Sequence, residues 1–540
     1  MKRRDFIKAA SPMLAIPFLL NGMPLRAMTR TPELDAMVNA LEETDRVLVL
    51  VQLNGGNDGI NTVVPLDQLS TYNSLRTHVA LPERSLLKIN NNTTGLHPAL
   101  GTYTDATKYK FNINKLYQEN KAVIVQGVSY PNPNLSHFRA TDVWMSASDY
   151  DKYLGTGWAG RYLNTLYPGY PDGYPNTTMP DPPAIQIGGI MSLALQGSSQ
   201  SMGIAINDPS TFLALVGTGK NGSVFATPPD TRPGNELKFL RQVEAESQAY
   251  AKNIDAAAAK VTNKVTYPAS NQNSLATQLQ VVAKLVAGGL KTRIYVVSLG
   301  GFDTHAAQVD ATDKTLGNHA TLLARLSEAV GLFYEDLRLL GADNRVLTMT
   351  FSEFGRRVQD NASDGTDHGT AAPLFVFGNN VEAGIRGVNP SLTDLDNGNL
   401  KMQHDFRQVY ASVLAQWFGA NTAELNASVL KDFTQIPIVK QSSTGVTDDV
   451  VNATVLQLRN NPNPVNGVGT TIQYVLPESA DVWLRVLDVN GRVITELVRE
   501  YQSAGEHSIH FNADTVPSGT YFYEIRAGRR ITSNRMIVEH

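Results

Sequence analysis

Residues 346–373, "VLTMTFSEFGRRVQDNASDGTDHGTAAP", decide how the chain is read. They open as an unbroken apolar run rich in Val, Thr and Phe, the mark of a strand buried on both faces. They then pass into a loop of Gly, Asp and His. In open parallel sheets ligands bind beyond the carboxyl ends of the strands, so Glu353, Asp367 and His368 stand where chemistry is expected. The same texture recurs at 45–66 ("DRVLVLVQLNGGNDGINTVVPL"), 122–128, 184–189, 293–301 and 374–379. Amphipathic spacing predicts helices at 275–289, 319–341 and 405–419, the last with Asp405 as its cap. A further short helix is predicted over about 32–43. Strands alternating with helices predict an α/β fold with a mostly parallel sheet and helices on both faces.

The 540 residues exceed what one core usually supports, so a large and a small domain are expected. With 42% hydrophobic and 18% charged residues and a net charge of −4, nothing favours nucleic acid. Cysteine is absent, which excludes disulfides, thiolate metal sites and cysteine nucleophiles. Any metal must therefore sit on oxygen and imidazole. The start, "MKRRDFIKAA" followed by "SPMLAIPFLL", has the three-part layout of an export signal. Residues 1–27 are read as that signal, with cleavage after Ala27 and no transmembrane segment in the mature chain. The paired Arg3 and Arg4 resemble a twin-arginine signal, a generic secretory signal being the alternative. The mature protein is expected outside the cell or on its outer surface, reached through the periplasm.

From about 456 the texture changes to short alternating segments separated by "NG", "AG" and "PSG" turns, which predict a small all-β, Ig-like sandwich over 456–540. Residues 438–455 read as a polar linker. The "NPNP" start (461–464), "DVNGRV" (488–493), "AGEH" (504–507) and "PSGTYFYEIRAG" (517–528) resemble the type A C-terminal sorting domain of type IX secretion cargo. That resemblance implies the type IX secretion machinery as a partner and passage across the outer membrane. An accessory carbohydrate-binding sandwich is the other reading.

In the large domain, read as 46–437, "LNGGNDGINTVVP" (53–65), "SYPNPNLSHFRATDVWMSA" (129–147), "SLGGFDTHAAQ" (298–308), "SEFGRRV" (352–358), "GTDHGTAAPLFVFG" (365–378) and "DFRQVYASVL" (405–414) resemble the bacterial DUF1501 family. The family name assigns no reaction. The residues themselves go further. Asp58, Asp303, His305 and Glu353 each fall just after a predicted strand and should gather on one edge. Massed carboxylates and imidazoles call for a cation, and such donors suit Zn or Mn.

The DUF1501 fold looks related to the alkaline phosphatase and sulfatase superfamily. By that resemblance Asp58 is a first metal ligand, Ser136 a nucleophile, Asp303 with His305 one ligand pair, Asp367 with His368 another, and His404 a last imidazole. Arg139 would neutralise oxygens of an anionic small-molecule or glycan substrate. The pattern departs from the superfamily in the one-residue spacing of "DTH" and in Glu353 standing where the strand-end Asp belongs. No formylglycine motif is present, so ordinary sulfatase chemistry is disfavoured.

Each residue keeps a structural alternative. Asp58 is also a turn maker, Ser136 a helix cap, and Arg139 and Arg356 partners for carboxylates. Glu353 is also a buried anchor, and His305 and His368 are also structural histidines. His97 is read as a loop support and His319 as a solvent-facing or capping residue. The expected function is a secreted metal-dependent hydrolase of a phosphate or sulfate ester; the alternative is a non-catalytic surface binding protein on the same fold.

Overall fold

The computed structural model describes residues 18–20, 23–25, 45–101, 111–198, 200–217, 231, 247–248, 250–440, 457–466, 469–476, 479–488, 492–527 and 530–539. The export signal, apart from two three-residue strands, lies outside the described residues, as do the helix expected at 32–43 and the linker from 441 onward. The chain divides into two compact units, residues 33–441 and residues 442–540 with 1–32.

The first unit is built on a nine-stranded sheet. Its strands are β1 (Val47–Asn54), β2 (Ala122–Ser129), β3 (Ala184–Ile187), β4 (Gly203–Ile206), β5 (Ile294–Gly300), β6 (Val346–Phe351), β7 (Ala372–Phe377), β8 (Gly384–Arg386) and β9 (His404–Asp405). They lie in the order β8-β2-β7-β6-β1-β5-β3-β4, with β9 also paired to β2. β1 is central, with Val51 paired in parallel to Val297 of β5 and to Thr350 of β6. Its side chains are buried on both faces, which is why the run lacks polar alternation. Each such Val or Leu contributes roughly 1.5–3 kcal/mol on burial, so the sheet fixes where its loops emerge.

Four helices matter for the site: α1 (His137–Ser146), α2 (Ser274–Ala287), α3 (Asn318–Leu340) and α4 (Phe406–Phe418). Tyr334 of α3 hydrogen bonds Thr348 of β6, while Trp144 of α1 stacks on Phe351 of the same strand. Residues an odd number apart on a strand point to opposite faces, so α1 and α3 cover the two sides of the sheet. Asp405 caps α4 as expected, its side chain bonded to the Arg407 amide in a capping box closed by Gln408.

One strand departs from the parallel pattern. β7 runs antiparallel to both β6 and β2. The consequence is positional. The amino end of β7 lies at the edge where β1, β5 and β6 end, so the loop that leaves β6 with Glu353 returns with Asp367 and His368 at that same edge.

The second unit holds two antiparallel sheets. One contains Gln457–Asn461, Thr470–Leu476 and Gly505–Phe511; the other contains Ala480–Leu487, Val493–Gln502, Gly519–Ala527 and Arg530–Glu539, with the short strand Val465–Asn466 added in parallel. Strict alternation buries Ile472 and Tyr474 from one sheet with Leu484, Val486, Tyr523 and Ile525 from the other in one core.

Candidate metal centre

The loops after β1 and β5 touch. Gly55, at φ +119°, packs so closely that a Cβ there would lie 2.3 Å from the Asp303 nitrogen, and only glycine fits. This contact sets Asp303 at the middle of the edge. Its Oδ1 lies 3.2 Å from Nε2 of His368 and 3.2 Å from Nε2 of His305, and its Oδ2 lies 3.5 Å from Nε2 of His137. The two rings His305 and His368 approach with their Nε2 atoms 2.9 Å apart. His137, Asp303 and His368 each offer a ligand atom within 4.8 Å of the others'.

A second layer orients each ring. His137 Nδ1 lies 2.8 Å from Glu353 Oε1, His305 Nδ1 lies 3.1 Å from Asp367 Oδ1, and His368 Nδ1 lies 2.8 Å from the Leu135 carbonyl. Oxygens that only accept require the proton on Nδ1, which leaves Nε2 of a neutral ring as a lone pair. Three lone pairs and a carboxylate then face one another. The His137 Nε2 is buried with no hydrogen-bond partner. Such imidazoles, each backed by a carboxylate or carbonyl, are arranged as metal ligands are.

Local sequence explains the placement of each group. Asn134 accepts from the Ser136 amide at 2.8 Å, a turn that starts α1 so that His137 is its first residue. Glu353 is held by the Gly55 amide at 2.8 Å and sits buried beneath His137. An isolated antiparallel bridge pairs Arg356 with His368, closing the 355–369 excursion. The buried Arg356 guanidinium donates to the carbonyls of Gly55, Gly56, Phe302 and Thr366 and to Asp303 Oδ1 at 2.7 Å. It thereby ties together the loops after β1, β5 and β6.

Charge does not close without a further cation. Asp303, Glu353 and Asp367 face two guanidiniums, Arg356 beside Asp303 and Arg357 acting on Asp367, which leaves the carboxylates one negative charge in excess. Burial pushes the Asp303 carboxyl up, but the Arg356 guanidinium and the His368 ring outweigh it, and the net direction is down. Asp367 is lowered by its bonds from His305 and Asn361. Burial lowers His368; the Leu135 carbonyl pulls it back up and Arg356 pushes it down, with a net lowering that favours the neutral ring. The donor set of His137, Asp303 and His368, with His305 alongside, fits a divalent cation.

Residues 128–428, more than half of the sequence, match the family model described as "Protein of unknown function (DUF1501)". The chain belongs to the DUF1501 family. Residues 461–539 match the model described as "Secretion system C-terminal sorting domain", and this DUF1501 chain is exported to the cell surface or the extracellular space. No helix among the described residues is long and apolar enough to cross a membrane. No curated protein matches the sequence.

Among solved structures, the chain is similar to PorZ, a surface component of the type IX secretion system of Porphyromonas gingivalis, at 19% identity over 19% of this chain and 14% of that one, with a TM-score of 0.14. The DUF1501 chain thus spans a small part of that protein's length. A protein of the alkaline phosphatase superfamily from Vibrio parahaemolyticus is 9% identical over 87% of this chain and 83% of that one, with a TM-score of 0.34. The PsFucS1 sulfatase from Pseudoalteromonas sp. is 10% identical over 90% and 89%, with a TM-score of 0.32.

Asp303, His305, Glu353, Asp367 and His368 come together as the sequence suggested, Glu353 and Asp367 as partners of imidazoles. Other candidates go elsewhere. Asp58 caps the short helix Gly59–Thr62 and pairs with buried Arg76, so its oxygens are turned into the core. Arg139 does not face the centre as a substrate ligand; its guanidinium bonds the carbonyls of Asp149, Tyr150 and Lys152. His404 pairs in register with Val128 on the side of β2 away from β7 and makes no hydrogen bond or ion pair with the cluster among the described residues. Ser136 stands at the cap position of α1 without a capping side-chain bond, between Leu135, which holds His368, and His137. His319, expected at the surface, is buried and bonded to Asn57 at 3.0 Å, because the first turn of α3 packs under the β1 loop. His97 supports its loop as expected, accepting from the Ala99 amide.

His137 is the member of the cluster that the sequence reading passed over. Its signal was available: β2 runs parallel to β6, so the helix that follows β2 begins at the same edge.

Proposed function

We propose that the chain is an exported metal-dependent hydrolase of an anionic ester, a phosphate or a sulfate. The domain that begins at 46 carries the chemistry; its end extends past the expected 437, because Ile438 and Val439 are buried in its core and Val439 bridges Val381. The sandwich at 456–540 engages the type IX secretion machinery. The observation that carries the hydrolytic reading is the convergence of the His137, His305 and His368 Nε2 atoms on Asp303. A divalent ion bound there supplies Lewis acidity to an ester oxygen and lowers the pKa of a nucleophile.

The chain's own groups do the rest. Glu353, Asp367 and the Leu135 carbonyl fix the proton on Nδ1 of each ring and hold its Nε2 in place. Arg356 partly neutralises Asp303 and keeps it aimed. In this reading the exposed Ser136 hydroxyl, at the amino end of α1, attacks phosphorus or sulfur and gives up its proton, and the ester's alcohol leaves and takes a proton. Water then cleaves the seryl ester. If water attacks directly, Ser136 only lines the site.

The test is elemental analysis of protein purified from an exporting host, with turnover of 4-nitrophenyl phosphate and 4-nitrophenyl sulfate. About one equivalent of divalent metal is expected per chain, as in a three-ligand catalytic site. His137→Ala and Asp303→Asn should lose it, whereas His404→Ala should keep it. Chelation should abolish turnover and added Zn or Mn restore it, and Ser136→Ala distinguishes the two nucleophiles. Protein without stoichiometric metal, or Asp303→Asn that keeps its metal, overturns the reading; metal without turnover of either ester leaves a binding protein.

A further inference from the structure

Phe354 follows Glu353 in the loop after β6 and is buried. Its ring centre lies 4.9 Å from that of His137 and 4.6 Å from that of His368, with the planes tilted by 40° and 35°. The two imidazoles are themselves 4.5 Å apart. Three rings therefore meet in one triangle, and two of them carry the Nε2 atoms that face Asp303.

A single hydrogen bond does not fix an imidazole. The ring turns about χ1 and χ2, and the χ2 well of histidine is broad, so a partner at Nδ1 sets the tautomer and leaves part of the tilt free. Glu353 holds Nδ1 of His137 and the Leu135 carbonyl holds Nδ1 of His368. Contact with Phe354 restrains what remains in both rings at once. The phenyl ring is itself held from the loop after β1. A Cβ added at Gly56, where φ is +78°, would lie 2.4 Å from Phe354 Cε2 and 2.6 Å from its Cδ2, so the Gly56 backbone is already against the ring.

We propose that Phe354 is a positioning residue: its ring sets the tilt of His137 and His368 together, so that both Nε2 atoms stay aimed at the ion that Asp303 shares. The inference rests on the metal reading for the ion and on these ring contacts for the role. Ligands already aimed have less freedom to lose when the ion arrives, so the ring acts on affinity and on ligand geometry. Two adjacent residues thus divide the work on His137. The Glu353 carboxylate places the proton, and the Phe354 ring places the plane.

The experiment compares the full exported protein with its Phe354→Leu and Phe377→Leu variants. Phe377 is also buried, but it lies at the far end of β7 from the cluster. After chelation, each is titrated with Zn against a chromophoric chelator and, separately, loaded with cobalt(II), whose visible bands report ligand geometry. Both variants should melt below wild type. Only Phe354→Leu should bind Zn more weakly, by about 10–100-fold, as when an outer partner of a metal ligand is removed, and only its cobalt bands should shift. Phe354→Met, which refills the space with a flexible chain, should behave in the same way and serves if the leucine variant does not fold. Wild-type affinity and bands in the folded Phe354 variant, or equal weakening in Phe377→Leu, overturn the positioning role and leave the centre standing. Wild-type protein that takes up neither Zn nor cobalt overturns the centre as well.

Discussion

Asp58 is fully buried, and both of its carboxylate oxygens are committed. Oδ1 accepts from the Ile60 and Asn61 amides at 3.2 and 3.3 Å, and Oδ2 takes Gln308 Nε2 at 2.6 Å together with the Arg76 guanidinium. The "GGNDGI" motif favours a ligand and leaves a turn maker as the alternative, because both follow a strand. What decides between them is Arg76, 18 residues away and equally buried. Removing one member of a buried pair strands the other charge, so Asp58→Asn is expected to cost about 3–5 kcal/mol. Urea unfolding should show that loss while the metal content per folded chain stays at the wild-type value. A variant as stable as wild type but lacking metal would return Asp58 to the ligand set. Glu353 illustrates the converse: the strand end allows a ligand or an anchor, and the structure makes it an anchor, held by the Gly55 amide while it orients the His137 ring.

At the scale of elements, the first turn of α3 is tucked beneath the loop after β1. There His319 is lowered from 6.5 to about 4, chiefly by burial; Asp58 pulls it up, and Arg76 and Arg356 push it further down. His97, whose ring lies 5.7 Å away, is pushed the same way by burial and then by His319. Because the unfolded chain binds these protons more readily, stability is full above pH 6.5 and falls as the pH drops toward 4. For His319 alone the span corresponds to roughly 3 kcal/mol. Urea titrations of chelator-treated protein at pH 7 and pH 5 should show about 2 kcal/mol of this loss, and His319→Gln should flatten it. An unchanged slope in that variant would assign the acid sensitivity elsewhere. The helical period of 319–341 correctly gave α3, but not that its first turn points inward, since burial there depends on a loop almost 260 residues earlier. The direction of β7 was equally hidden, because an apolar run reads the same in either orientation.

For the whole molecule, the two units have separate hydrophobic cores. The sandwich alternates buried and half-buried residues along Thr470–Leu476 and buries side chains from both of its sheets, so it holds what it needs to fold alone. Residues 442–540 expressed by themselves are expected to unfold cooperatively, with a midpoint close to that of the same unit in the full chain. A non-cooperative melt would show that the sandwich depends on the rest of the protein.

The sequence by itself determined the strands, the principal helices, the edge where chemistry gathers, the exclusion of sulfur ligands and the family. These depend on periodicity, composition and local motifs, which short stretches carry on their own. Only the tertiary structure decided which side chains meet. Asp58 and Asp303 both follow strands, yet one turns inward to Arg76 and the other outward to three imidazoles. His137 joined the site because β2 runs parallel to β6, and His404 stayed out because β9 lies on the far side of β2. Strand order and register fix such encounters, and they are properties of the assembled sheet.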